Sequence, residues 1–191
     1  MAILPLINMT LARRTFHCAV GAAGTGITVP IYSTTSPTFA LWNPLGTNRI
    51  AVLNYIGLTV AATATPAITG LALSEVVNTG GSFGTGLPVA AWTDATVYNA
   101  RLGPQPTGGN SARVGVATTT LTTAGNTFMD LGIGQATTSL AGGLTTTVFN
   151  FQNLPIVALD PGTLIHLVGN PVAPVETFVA SICWTEFDYV P

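Results

Sequence analysis

The chain has 191 residues, enough for one large domain with a proper core, but only 6% of them are charged. There is no lysine and the net charge is −2, so the basic surface of a nucleic-acid-binding protein is not expected, while 48% hydrophobic residues argue against disorder. A free monomer with so little charge tends to associate, so the composition favours a protein that hides its surface in an assembly.

The N-terminal residues 1–14 show neither helical spacing nor alternation. They predict an extended N-terminal arm that ends at Arg13 and Arg14 and precedes a single domain over residues 15–191. The start lacks the positive region of a signal peptide, and no apolar run reaches the ~18 residues of a membrane-spanning helix, so no membrane partner is expected.

Residues 39–60 are the stretch around which we expect the other strands to be arranged. They predict a short strand, a tight turn of Asn, Pro and Gly, and a longer apolar strand. We interpret this unit as a hairpin whose second strand is central or covered on both faces. Before it, residues 15–20 and 27–32 predict two strands, the second at an edge because Pro30 cannot donate to a ladder.

Further strands are predicted after residue 62, with the last two paired as a closing hairpin. In the last strand Phe178, Ala180, Ile182 and Trp184 share one parity. About eight to ten short strands with turn signals and no convincing helix indicate an all-β, jelly-roll-like sandwich. The later strands are expected at residues 67–77, 112–122, 127–133, 144–151, 155–159, 163–168 and 176–187.

Between these strands, residues 78–112 are rich in Gly and Pro and form the longest stretch predicted to be irregular. Long loops of this kind inside compact domains often carry function. Residues 91–100 within it predict a short strand or a helical turn, and Trp92 is the candidate contact residue.

The cysteines Cys18 and Cys183 lie near opposite ends of the chain. A disulfide between terminal strands and two buried free thiols both fit this spacing. Two cysteines do not define a redox compartment.

No motif predicts a reaction, a cofactor or a metal site. The glycine runs at 21–26 and 80–86 lack the Lys and the following helix of a phosphate loop. His17 and His166 are the only histidines, too few for a cupin-type cluster. Ser111, His166 and Asp160 lack a nucleophile elbow. The carboxylates Glu176, Glu186 and Asp188 are interpreted as a solvated edge. Trp42, Trp92 and Trp184 predict core or interface positions in preference to a sugar platform.

Three segments carry a resemblance to a known group of proteins. Residues 39–53 contain an aliphatic-Trp-Asn-Pro-x-Gly turn before a long apolar strand, residues 160–167 begin with Asp-Pro-Gly-Thr, and residues 178–186 read FVASICWTE. In this respect the chain resembles virion proteins of tailed bacteriophages. The resemblance covers about 120 residues from Phe39 onwards, except for a poor match in 78–112.

The resemblance implies a non-enzymatic jelly-roll protein on the capsid exterior, often a homotrimer, that binds the major capsid protein and cements the head. It implies no catalytic residues, and a terminal arm around Arg13 and Arg14 would reach adjacent subunits. A receptor- or glycan-binding module of a viral fibre is the alternative, with Trp92 and the 78–112 loop as the contact site.

Overall fold

The structure is a computed structural model that describes residues 8–21, 26–32, 34–62, 68–77, 93–101, 103, 109–115, 121, 125–131, 146–151, 156–171 and 177–189. These residues form twelve β-strands and one helical turn at 8–11. In chain order the strands are β1 (Thr15–Val20), β2 (Ile27–Thr28), β3 (Ala40–Trp42), β4 (Arg49–Ala62), β5 (Ile68–Val77), β6 (Tyr98–Asn99), β7 (Arg113–Gly115), β8 (Asn126–Asp130), β9 (Thr146–Asn150), β10 (Ala158–Leu159), β11 (Thr163–Pro171) and β12 (Thr177–Asp188).

The strands form two antiparallel sheets, which confirms the predicted all-β sandwich. Sheet A has the order β10-β4-β12-β1-β6, with β9 also on β4 and β2 on the end of β12. Sheet B has the order β7-β3-β11-β5-β8. One hydrophobic cluster joins the two sheets, with Leu53 and Trp184 from sheet A and Leu73 and Ile165 from sheet B, so the core lies between them.

The strand pairs are nested along the chain. The first strand pairs with the last (β1 with β12), and β3 pairs with β11, β4 with β9 and β5 with β8. All four pairs are antiparallel. The chain therefore folds as one long antiparallel strand pair that is folded over itself to give two sheets.

The alternation predicted for the last strand is confirmed in β12. Phe178, Ala180, Ile182 and Trp184 are all buried in the core cluster, while the residues between them up to Cys183 are half-buried. Burial of a large aliphatic or aromatic side chain stabilises the fold by roughly 1.5–3 kcal/mol, so these inward positions contribute much of the stability of sheet A.

Both predicted hairpins are wrong. β3 belongs to sheet B and β4 to sheet A, and β11 and β12 are separated in the same way. The turn between β3 and β4 has the predicted chemistry, with φ of 81° at Gly46 and 50° at Asn48. It carries the chain from one sheet to the other instead of returning it beside its own strand.

The predicted central position of the long apolar strand is confirmed. β4 lies between β12 on one side and β9 and β10 on the other. The register with β12 shifts between Cys183 and Trp184, which leaves Asn54 as the additional residue of a β-bulge. The Asn54 amide donates to Thr185 Oγ1 at 3.0 Å, so the bulge is held by a side chain as well as by the ladder.

Sheet B is buried on its outer face as well. Ala40, Trp42, Val76 and Leu164 form a second cluster there with Leu121, which comes from the segment before β8. Gly125, in the same segment, lies so close to the sheet that a Cβ on it would be 2.5 Å from Ser74 Oγ and 3.0 Å from His166 Nε2. Part of this segment therefore forms a third layer over sheet B.

Residues 8–14, the part of the predicted arm that the structure describes, lie on their own domain. Residues 8–11 form a helical turn and not the extended chain that we predicted. Arg101 donates to the Leu11 carbonyl at 2.8 Å, and Asn99 donates to the Arg13 carbonyl at 2.8 Å. A single turn leaves no periodicity in the sequence, and its attachment depends on residues 86 and 90 positions away.

The region 78–112 contains β6 and leads directly into β7. β6 extends sheet A beside β1, and β7, directly after the region, extends sheet B beside β3. β6 is the strand alternative predicted within residues 91–100. Residues 78–92, 102 and 104–108, including Trp92, lie outside the described residues.

The cysteines are both free thiols. In the register of β1 and β12, Cys18 pairs with Ile182, which faces the core, whereas Cys183 pairs with His17 on the opposite face. Since the two sulfurs lie on different faces of sheet A, the free-thiol interpretation is confirmed.

Candidate functional site

The charged side chains of the described residues concentrate at one end of the sandwich. We call this the charged end: it is where β1 and β4 begin and β12 ends. All five arginines lie there together with five carboxylates, namely Arg13, Arg14, Arg49, Arg101, Arg113, Glu75, Asp94, Asp160, Glu186 and Asp188.

Asn43 is the buried centre of the turn between β3 and β4 at this end. Its amide nitrogen donates to the carbonyls of Arg49 at 2.7 Å and Leu159 at 2.8 Å, and its amide oxygen accepts a hydrogen bond from Thr47 Oγ1 at 2.9 Å. The side chain therefore holds the start of β4, the end of β10 and its own turn together.

The main chain of Asn43 makes a second set of contacts. Its N–H donates to the Thr163 carbonyl at 2.9 Å, and its carbonyl accepts from the Gly162 N–H at 2.7 Å. Gly162 has a φ of 94°, a left-handed conformation that suits glycine. Asn43 and Asp160 are 117 positions apart in the sequence. Their motifs, Trp-Asn-Pro and Asp-Pro-Gly-Thr, thus form one hydrogen-bonded junction.

Glu186 is the second buried polar residue at the charged end, and it is completely inaccessible to solvent. Its carboxylate accepts hydrogen bonds from the N–H groups of Ser111 at 2.8 Å and Ala112 at 2.9 Å and from Trp184 Nε1 at 3.2 Å. Arg49 Nη1 lies 3.9 Å from Glu186 Oε2. The interpretation of Glu186 as part of a solvated edge is therefore wrong.

A signal for the burial of Glu186 is present in the sequence. Glu186 has the parity of Ile182 and Trp184, the core-facing positions of β12. A carboxylate at such a position needs internal hydrogen-bond donors, because an unpaired buried charge is strongly unfavourable. No sequence pattern indicates that the N–H groups of Ser111 and Ala112 are the donors.

The two arginines predicted as contact residues differ in their surroundings. Arg14 forms an ion pair with Asp188 at 2.9 Å, and its hydrogen bond holds the pKa of that carboxyl below the usual value. Arg13 has an exposed side chain and a φ of 61°, and its carbonyl accepts from Asn99. Of these two arginines, Arg13 is therefore the one with the exposed side chain.

A cleft of about 330 Å³ opens beside β7. Arg113 makes two hydrogen bonds to the Asp94 carboxylate, at 2.9 and 2.7 Å, and its guanidinium carbon lies 5.3 Å from the centre of the Trp42 ring. The remaining lining comes from Ala95, Thr96, Val97, Asn110 and Val114. The cleft is thus lined by hydrogen-bonding side chains and by the apolar side chains of Ala95, Val97 and Val114.

The residues considered for catalysis or metal binding do not converge. His166 is buried on the outer face of sheet B, whereas the Ser111 amide is bound to Glu186 on the inner face of sheet A. His17 lies on the outer face of sheet A and stacks on Tyr98, with ring centres 5.7 Å apart. Within the part of the chain that the structure describes, no group of three His, Cys, Asp or Glu residues could hold a metal ion.

The described tryptophans occupy separate places. Trp184 is completely buried in the core, 5.8 Å from the Phe16 ring centre, and Trp42 is buried on the outer face of sheet B. These two side chains therefore do not share a sugar platform.

No protein family, characterised protein or solved structure shows significant similarity to the chain. In the described residues there is also no helix of sufficient length and hydrophobicity to cross a membrane.

Proposed function

We propose that this protein is a structural component of a virion, a jelly-roll protein that binds the outside of an icosahedral phage capsid and cements it. In this role it has no catalytic residues. It acts as a homotrimer whose partner is the major capsid protein, and it is located on the capsid exterior.

The strand order supports the jelly-roll part of the proposal. Eight strands, taken in chain order as β1, β3, β4, β5, β8, β9, β11 and β12, form the two four-stranded orders β1-β12-β4-β9 and β3-β11-β5-β8. Two facing sheets of four strands with nested antiparallel pairs are the arrangement of a jelly roll. β2, β6, β7 and β10 are short additions to this frame.

The observation that carries the functional proposal is the junction at Asn43. The resemblance to tailed-phage virion proteins rests on a Trp-Asn-Pro turn and an Asp-Pro-Gly-Thr turn that are distant in the sequence. Direct hydrogen bonds between Asn43, Gly162 and Thr163 unite the two turns. The likeness therefore concerns one structural unit and not two independent short matches.

The low charge supports a permanently assembled state. A surface covered by Thr, Gly and apolar side chains is stabilised when it is buried, by roughly 25 cal/mol per Å² of apolar area before the costs of association. Exposed apolar residues at several places, among them Leu45 and Ile156, offer such area. Contacts of this kind across capsomer boundaries would resist the internal pressure of packaged DNA.

Capsid binding tests the proposal directly. Purified protein is added to heads of the phage that encodes it, assembled without it, and bound protein is measured by co-sedimentation. We expect saturation at a fixed ratio to the major capsid protein and a higher temperature of DNA release. Absence of binding at saturating concentration would overturn the proposal.

A second candidate function is glycan binding, which the cleft beside β7 favours. Paired carboxylate and guanidinium groups beside an amide can hydrogen-bond the hydroxyls of a sugar, and Ala95, Val97 and Val114 add apolar contacts. A glycan array with the wild type and Arg113→Leu tests it. Binding that Arg113→Leu abolishes would support a receptor-binding role, and an array without signal would exclude this candidate.

A further inference from the structure

The outer face of sheet A is the side that points away from the core. It is formed by β6, β1, β12, β4 and β9, with β10 at its margin. The register places one row of side chains straight across it, and the row consists of Tyr98, His17, Cys183, Tyr55 and Asn150. The next row consists of Ala19, Ser181, Gly57 and Val148.

The described residues of this face include no charged side chain. Thr15–Val20, Tyr98–Asn99, Thr146–Asn150 and Ala158–Leu159 are free of Asp, Glu, Lys and Arg. The same is true of β4 after Arg49 and of β12 before Glu186. The charges at the ends of these two strands belong to the charged end, so the neutral area is continuous across the sheet.

A large part of the face is accessible. Val148 is 60% exposed, Tyr98 is 39% exposed and Ile156, at the β10 margin, is 76% exposed. Ala19 and Asn150 are exposed too, and His17, Tyr55, Ser181 and Cys183 are half-buried. Thr15 and Thr185 are buried at the charged end of the face, where Thr10 of the helical turn donates to Thr15. Among the described residues, those that cover this face therefore lie at its charged end.

We propose that a second copy of this chain covers the outer face of sheet A. A charged partner surface would lose its hydration there without gaining an opposite charge, so the covering surface must be neutral as well. This chain, with 6% charged residues and ten of its twelve charged residues at the charged end, offers neutral surface of this kind. Contact between copies also brings no like charges together on this side.

The size of the face fits such a contact. Five strands spaced ~4.8 Å apart, which contribute on average about six residues at ~3.4 Å, give a footprint of roughly 500 Å². This face and the surface of the second copy that covers it together bury on the order of 1,000 Å², where specific interfaces begin. We therefore expect an association that depends on concentration. The proposal does not depend on a capsid role, since it concerns the purified protein alone.

Sedimentation velocity over a wide range of protein concentration tests the proposal, with circular dichroism to verify folding. The face variant is Val148→Arg on β9, and Ala19→Arg on β1 repeats the test at a second exposed position. Phe128→Arg is the matched control, because Phe128 is 40% exposed on β8, an outer strand of the other sheet.

We expect a wild-type mass above that of the monomer, at least roughly tenfold weaker association in both face variants, and wild-type association in Phe128→Arg. A wild type that is monomeric at every concentration would overturn the proposal. Folded face variants that keep the wild-type mass, or an equal loss in Phe128→Arg, would also overturn it. If Val148→Arg does not fold, Ala19→Arg decides. If the protein did not bind capsids, the results expected in this experiment would be the same.

Discussion

A single amide side chain, that of Asn43, connects three segments at the charged end. We expect Asn43→Ala to lower the free energy of unfolding by about 3 kcal/mol, because it leaves the buried carbonyls of Arg49 and Leu159 without their donor. Asn43→Asp should be at least as destabilising, since a carboxylate cannot donate to them. Urea denaturation at neutral pH measures both changes.

The control for Asn43 is Thr47→Val. Thr47 donates to Asn43 Oδ1 and is only half-buried, so its replacement leaves both amide donors in place. We expect a loss below about 1 kcal/mol. Equal losses in Asn43→Ala and Thr47→Val would show that the buried carbonyls do not depend on Asn43.

His166 makes the stability depend on pH. Burial lowers the pKa of its imidazole from 6.5 to about 4. The unfolded chain therefore takes up a proton between pH 6.5 and 4 that the folded chain does not, so stability falls as the pH falls through this range. The contribution is on the order of 3 kcal/mol.

His166→Gln isolates this contribution, because glutamine is polar and does not titrate. The difference in unfolding free energy between wild type and variant should be constant above pH 7 and shift in favour of the variant as the pH falls towards 4. Thermal unfolding at a series of pH values measures it. A difference that does not change with pH would contradict the lowered pKa.

At the scale of elements, the Glu186 carboxylate attaches residues 111 and 112 to β12. In Glu186→Leu both carboxylate oxygens are lost, and leucine offers no acceptor to the N–H groups of Ser111 and Ala112. We expect a loss of about 2 kcal/mol and faster hydrogen exchange at these two amides. Arg49→Gln is the control: it removes only the 3.9 Å ion pair and should cost less than about 1 kcal/mol.

The positions of the strands could be predicted because local patterns determine them. β1 coincides with its predicted bounds, and β4 and β12 begin and end within about two residues of theirs, since alternation and β-branched residues mark a strand wherever its partner lies. The turn residues Gly46 and Asn48 were predicted for the same reason.

The partners of the strands could not be predicted in this way. Gly and Asn permit the chain to turn between β3 and β4, but they do not determine which sheet receives the next strand. That choice depends on contacts such as Asn43 with Leu159, 116 positions away. The donors for Glu186 and the helical turn at 8–11 were missed because they too depend on distant residues.

For the whole molecule, we expect stability to be nearly independent of ionic strength. The described residues contain three ion pairs, all with a partly exposed arginine, and such pairs contribute little. Sodium chloride should change the free energy of unfolding by less than about 1 kcal/mol. Ammonium sulfate should raise the melting temperature, because it strengthens the burial of apolar surface. A marked loss of stability in sodium chloride would contradict this expectation.

The central place of β12 in sheet A has a consequence for how the protein is made. β12 follows every other strand in chain order, yet it pairs with both β1 and β4, and Thr15 must meet Thr185 across 170 positions. During translation the edges of β1 and β4 that pair with β12 remain unpaired until residue 188 has been synthesised. Sheet A therefore forms late, and contacts between such distant residues make its folding slow. Until then the nascent chain exposes unpaired strand edges with which other chains can pair. We therefore expect aggregation when many copies are synthesised close together.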